Sequence, residues 1–157
     1  MRSPTGTPAS VVWGAVAFTD NTGRTLMLRD TSVHRRWLLP GGVADEGETP
    51  WDAAVRETFE ETGIRLTGTP RLLAVDTLLP VGTRVPMVGF MFDGGIIDAA
   101  AIRLSSEHDE VLFAEPNEWP DTVPPEQLDR LASLDHARQH GSPLYLHNGR
   151  IPGTRDS

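Results

Sequence analysis

The stretch from Thr49 to Gly63 constrains this chain more than any other, because every local signal in it agrees on one element. Thr49 is a good N-cap. Pro50 suits the first helical position, where a missing N–H goes unused, and Asp52 stands three residues after Thr49 to complete a capping-box pair. Gly63 is placed for the left-handed residue that ends a helix, so a helix over about 50–62 is predicted. Turning about 100° per residue from Glu57 puts Glu60 near 300° and Glu61 near 40°, so three carboxylates share one face. Val55 and Phe59 fall near 160° and 200°, with Trp51 and Thr62 between about 120° and 140°, and that side is expected to meet the core.

Such a helix carries an internal conflict. Glu57 and Glu61 are like charges at i, i+4, and they lie toward the C-terminal end, where the macrodipole disfavours anions. A divalent cation resolves it: Mg²⁺ is a hard ion that takes carboxylate and carbonyl oxygens, keeps several waters and is commonly shared with substrate phosphate. Arg56, one turn before Glu60, is placed to orient a carboxylate, and Glu48, just before the N-cap, can reach back over Gly41-Gly42.

Composition narrows the remaining classes. There is no cysteine, which excludes a disulfide framework, a thiolate metal site and a cysteine nucleophile, and fits a reducing cytoplasm. A net charge of −8 on 157 residues argues against long nucleic acid as a partner, so a phosphorylated molecule must be met through a local patch or a metal. The near-apolar run Val11–Phe18 is too short to cross a bilayer, and no membrane association is expected. All the basic residues are arginine, charged at any relevant pH.

Around the helix, Val11–Thr19 and Thr25–Arg29 flank the turn Asp20-Asn21-Thr22-Gly23-Arg24 and read as a hairpin. Trp37-Leu38-Leu39 is a short apolar piece stopped by Pro40-Gly41-Gly42. Arg71–Leu79, Arg84–Phe92 and Glu110–Ala114 read as strands, and Leu144–Leu146 as an edge strand. Pro124-Pro125-Glu126 opens a second helix that repeats Leu128, Leu131, Ala132 and Leu134 and stops at Gly141. The expected organisation is a loose tail over 1–10, one layered α/β domain over 11–148 and a second tail over 149–157, without internal repeats.

The spacing of the acids then becomes decisive. Gly42, five residues, Glu48, seven residues and Arg56-Glu57-Thr58-Phe59-Glu60-Glu61-Thr62-Gly63-Ile64 resembles the Nudix box, G-x5-E-x7-R-E-U-x-E-E-x-G-U, with U a bulky aliphatic residue. At average residue usage a chance match of its fixed positions is of order 10⁻⁶ over a chain this long. Thr58 departs from the pattern, and its methyl is expected at the border of the core.

The resemblance to MutT-like Nudix hydrolases implies an α/β/α sandwich with a mixed β-sheet flanked by helices, extending over about Val11–Leu146. It implies hydrolysis of a phosphoanhydride in a nucleoside diphosphate-linked small molecule, with Mg²⁺ or Mn²⁺. Carried over by position, Glu57, Glu60 and Glu61 would ligate metal with the carbonyl of Gly41, Arg56 would orient Glu57, and Glu48 would support the loop. Some family members use a further acid from a late loop. Glu107, Asp109 and Glu110 are the candidates here, with Glu110 the choice, and Arg35, Arg36 and Arg84 are candidates for substrate phosphate. Pro80 lies near a proline of ADP-ribose-type members, a weak hint toward ADP-ribose among nucleotide sugars and damaged nucleoside triphosphates. A homodimer is allowed. The competing reading is a Nudix-fold binding or regulatory module, against which the intact glutamates count. The related isopentenyl-diphosphate isomerase chemistry is excluded by the missing cysteine.

Overall fold

Along the strand β1 (Val11–Thr19), Ala15 and Ala17 point to one side and Val16 and Phe18 to the other, and all four are buried. A strand covered on both faces belongs at the centre of a sheet with a helix on each side, which is why it reads as a nearly continuous apolar run. The computed structural model describes residues 5–6, 9–79 and 85–154; Pro80 and Arg84 lie outside the described residues. Seven further strands follow: β2 (Thr25–Asp30), β3 (Trp37–Leu38), β4 (Gly41–Val43), β5 (Leu72–Leu78), β6 (Met87–Ile96), β7 (His108–Ala114) and β8 (Leu144–His147). Helix α1 (Pro50–Thr62) packs on the Val16/Phe18 face, and α2 (Pro125–His140) packs through Leu131, Leu134 and Ala137 on the Ala15/Ala17 face. The result is the expected α/β/α sandwich around a mixed sheet, ordered β3-β2-β1-β6-β5-β8, with β4 beside β1 and β7 beside β2.

Two local expectations change. The hairpin of β1 and β2 closes only at Thr19 and Thr25. Beyond that pair β1 takes β6 in parallel and β4 in antiparallel, while β2 turns to β7 and β3. The turn permits the divergence because it holds itself together: Asp20 Oδ1 accepts from the backbone N–H groups of Thr22 and Arg24 at 2.9 and 3.0 Å. β4 was not foreseen, since a Gly-Gly pair gives no strand signal.

The second change concerns the face that α1 buries. Ala53, Ala54, Thr58 and Thr62 are fully buried, whereas Phe59 is 41% exposed beneath the Arg65 guanidinium, 4.1 Å from its ring centroid. Thr58 is therefore at the middle of the buried stripe. Gly14 on β1 explains the rotation: a Cβ there would stand 1.9 Å from the carbonyl oxygen of Pro50 and 3.2 Å from the Ala54 methyl. At so close an approach small side chains fit between helix and sheet, and a phenyl ring does not.

Candidate active site

The helix caps expected from the sequence are present. Thr49 Oγ1 accepts from the Asp52 N–H at 3.1 Å, Asp52 accepts from the Thr49 N–H at 2.9 Å, and Gly63 ends α1 at φ 74° with its N–H on the Phe59 carbonyl. These caps fix the rotation and endpoint of the helix, and with them the direction of its acids.

Arg56 organises one side of the face. Its Nε and Nη2 donate to the two oxygens of Glu48 at 2.7 and 2.9 Å, a bidentate pair, and its Nη1 donates to Glu57 at 2.8 Å. Glu60 and Asp45 each come within 3.5 Å of the same guanidinium. Nη2 also donates to the Val43 carbonyl at 3.3 Å, tying the loop before α1 to the helix. Arg56 holds the Glu48 carboxyl down to about 2, and the carboxylates in turn raise the guanidinium further above its ordinary value. Glu57 is raised instead, because burial and repulsion from Glu60 and Glu107 outweigh Arg56. Gly42 lies directly against it: a Cβ there would fall 2.5 Å from the Glu57 carboxyl carbon, so any larger residue would push this acid's side chain aside.

Glu61 differs from its neighbours. It is 7% exposed and accepts one hydrogen bond among the described residues, from the N–H of Gly41 at 3.2 Å. Burial pushes its carboxyl up to about 8, with repulsion from Glu57, Glu107 and Glu60 adding to the effect. Gly41 thus meets the site through its N–H, paired across to Ala15 of β1.

The late acidic loop divides its candidates. Ser105 N–H bonds the Glu61 carbonyl at 3.2 Å, and Thr31 N–H bonds the Glu107 carbonyl at 3.0 Å, so the turn before β7 is pinned both to the end of α1 and to the end of β2. Glu107 is the member of this loop whose charge is felt at Glu57 and Glu61. Glu110 pairs with Arg29 at 2.7 Å, and Asp109 with Arg29 and Arg35. The structure therefore takes the preferred Glu110 into a surface ion pair and brings forward Glu107. Glu110 stands directly opposite Arg29 in the pairing of β2 with β7, a register that the sequence alone does not mark. Arg36 is bound to Asp30 at 3.0 Å, and Arg35 to Asp109.

Among the described residues no three His, Asp or Glu side chains converge into a ready-made ligand cage. The donor set still fits a hard divalent ion: a buried carboxylate with no counter-ion among the described residues, and two further glutamates on its face.

The chain belongs to the NUDIX domain family, which it matches over residues 9–144. A MutT-like protein of Streptomyces ambofaciens is 33% identical over 135 residues, covering 82% of this chain and 77% of that one. An RNA pyrophosphohydrolase of Bartonella henselae is 56% identical over 46 residues, about a quarter of the length of each protein. Among solved structures, a MutT protein from Methanosarcina mazei superposes with a TM-score of 0.68 at 23% identity, over 85% of this chain and 96% of the other, a likeness of fold.

Proposed function

We propose that this protein hydrolyses a phosphoanhydride bond in a small nucleoside diphosphate-linked molecule, with Mg²⁺ or Mn²⁺ held by Glu57, Glu60 and Glu61 beside Gly41. The observation that carries the reading is Glu61, a buried carboxylate to which the described residues supply one N–H and no cation. Family membership and the unbroken box support it. When bound, the divalent ion neutralises pyrophosphate charge and acidifies water.

The chain's own residues do the rest. Arg56 keeps Glu48 ionised and fixes the direction of Glu57, so the acids do not have to reorganise when substrate enters. Gly41 packs against Gly14 and Ala15 of β1, and Gly42 against the Glu57 carboxyl, which holds the loop close to the acids. Glu107, whose turn is held at both ends and whose charge raises Glu57 and Glu61, accepts the proton of the attacking water. The absence of cysteine and of any described helix long and apolar enough to cross a membrane is compatible with work in the cytoplasm.

A phosphate-release screen tests this, using ADP-ribose, nucleotide sugars, oxidised nucleoside triphosphates and dinucleoside polyphosphates with Mg²⁺, Mn²⁺ or chelator. Turnover of at least one compound is expected, lost with chelator and reduced about 10³-fold or more in Glu57→Gln at an unchanged melting temperature. Silence of the wild type across the screen would favour a binding module. Full activity of Glu57→Gln would remove the assigned site.

A further inference from the structure

The loop between β2 and β3 has a rigid base and a lightly tethered tip. At the base, Asp30 is 8% exposed and takes four bonds: from Ser32 N–H and Oγ at 3.2 and 2.7 Å, from Arg36 N–H at 3.0 Å and from Arg36 Nε at 3.0 Å. Thr31 joins that base to the Glu107 carbonyl, and the same turn is bonded to Glu61. The loop therefore rises beside the carboxylate face.

At the tip, Val33 is 93% exposed, and Arg35 stands at φ 44°, left-handed backbone that an arginine seldom adopts. The tip is tied to the sheet by the guanidinium of Arg35, which donates to Asp109 Oδ2. That tie is easily exchanged. Both partners are substantially exposed, so water and salt weaken their attraction. Asp109 also accepts from Arg29 Nε at 2.9 Å, and Arg29 in turn holds Glu110, so releasing Arg35 leaves no charge unpaired on β7. Arg36 has no such freedom, because its departure would strip the cation from a buried acid.

We propose that Arg35 is an exchangeable clamp for the phosphates of the substrate, parked on Asp109 and transferred to phosphate when a nucleotide enters beside Glu107. The proposal rests on reading the carboxylate face as a phosphoanhydride site. The same fork geometry serves both partners, since a phosphate presents paired oxygens as a carboxylate does. Asp109 is accordingly a competitor of the substrate, and the backbone of Arg35 relaxes from its left-handed conformation when the tip swings.

Calorimetric binding of ADP with Mg²⁺ tests it. Arg35→Ala is expected to weaken binding about tenfold, Arg35→Lys to fall between that variant and the wild type, and Asp109→Asn to tighten binding about threefold by removing the competitor. In the Arg35→Ala background Asp109→Asn should have no effect, a coupling that a merely structural role would not produce, and melting temperatures should agree within a few degrees. Absence of ADP binding by the wild type, unchanged affinity in Arg35→Ala, or additive effects in the double variant overturns the clamp. The binding pattern persisting in a protein that hydrolyses nothing overturns the enzyme reading instead.

Discussion

Among the buried carboxylates of this domain, Asp76 and Glu61 lie on opposite faces of the same sheet, and the fold treats them differently. Asp76, on β5, is fully buried, and it is completely answered: Arg130 Nε of α2 donates at 2.7 Å and the N–H of Gly149 at 3.2 Å, while Gln127 accepts from the same guanidinium. Glu61, on α1, has one N–H from Gly41 and no cation among the described residues; Arg56, on the same helix, is spent on Glu48, Glu57 and Glu60. A buried acid with its partner built in ties elements together. A buried acid without one is a place where the fold leaves charge for an incoming cation to answer.

The same chemical change at both positions breaks or sharpens that contrast. Asp76→Asn removes the charge that answers Arg130, itself only 8% exposed, and should destabilise the protein by about 3 kcal/mol or more in denaturant unfolding. Glu61→Gln should do the opposite in metal-free protein at pH 8, raising stability by about 2 kcal/mol, while lowering turnover of whichever substrate is found by about 10² to 10³-fold. The pH dependence follows from the same group. Its carboxyl lies near 4.5 when unfolded and about 8 when folded, so the folded state holds the extra proton across that window. Metal-free stability should therefore fall as pH rises from about 4.5 to about 8, Mg²⁺ should recover it most at the upper end, and Glu61→Gln should flatten the curve. If both amide substitutions move stability in one direction, the distinction between the two acids is lost.

What could be read in advance was what is local. Cap, proline, capping box and terminal glycine of α1 all lie within fifteen residues and require no partner, and the acids share a face because helical geometry alone puts them there. The core face was misjudged because it depends on Gly14, on another strand, which brings Pro50 so close that Phe59 must turn outward. Partner choice was equally hidden. Arg130 is 54 positions from Asp76 and Arg35 is 74 from Asp109, and nothing in the chain marks which arginine meets which acid. Glu107 falls in the turn before β7 and Glu110 within the strand, opposite Arg29, and only the pairing of β7 with β2 separates them.

A smaller version of the same contrast lies on the buried stripe of α1. Thr58 and Thr62 are both fully buried. The Thr62 hydroxyl donates to the Thr58 carbonyl at 2.6 Å and accepts from the Ile64 N–H at 3.2 Å, whereas the Thr58 hydroxyl has no partner among the described residues. The family pattern takes an aliphatic residue at position 58, and the orphan oxygen is the physical reason to prefer one. Thr58→Val replaces that hydroxyl by a methyl in nearly the same volume, so it should stabilise the fold by about 1 kcal/mol, or roughly 2–4 °C in melting temperature for a domain of this size. Thr62→Val, the same exchange one turn later, removes a satisfied hydroxyl that helps to end the helix, and should cost about 1 kcal/mol. Among the described residues neither hydroxyl bonds a carboxylate, so Thr58→Val should leave turnover within about twofold of wild type. Opposite signs from these two threonines would show that hydrogen-bond satisfaction, rather than polarity itself, decides what this helix tolerates beneath its acidic face.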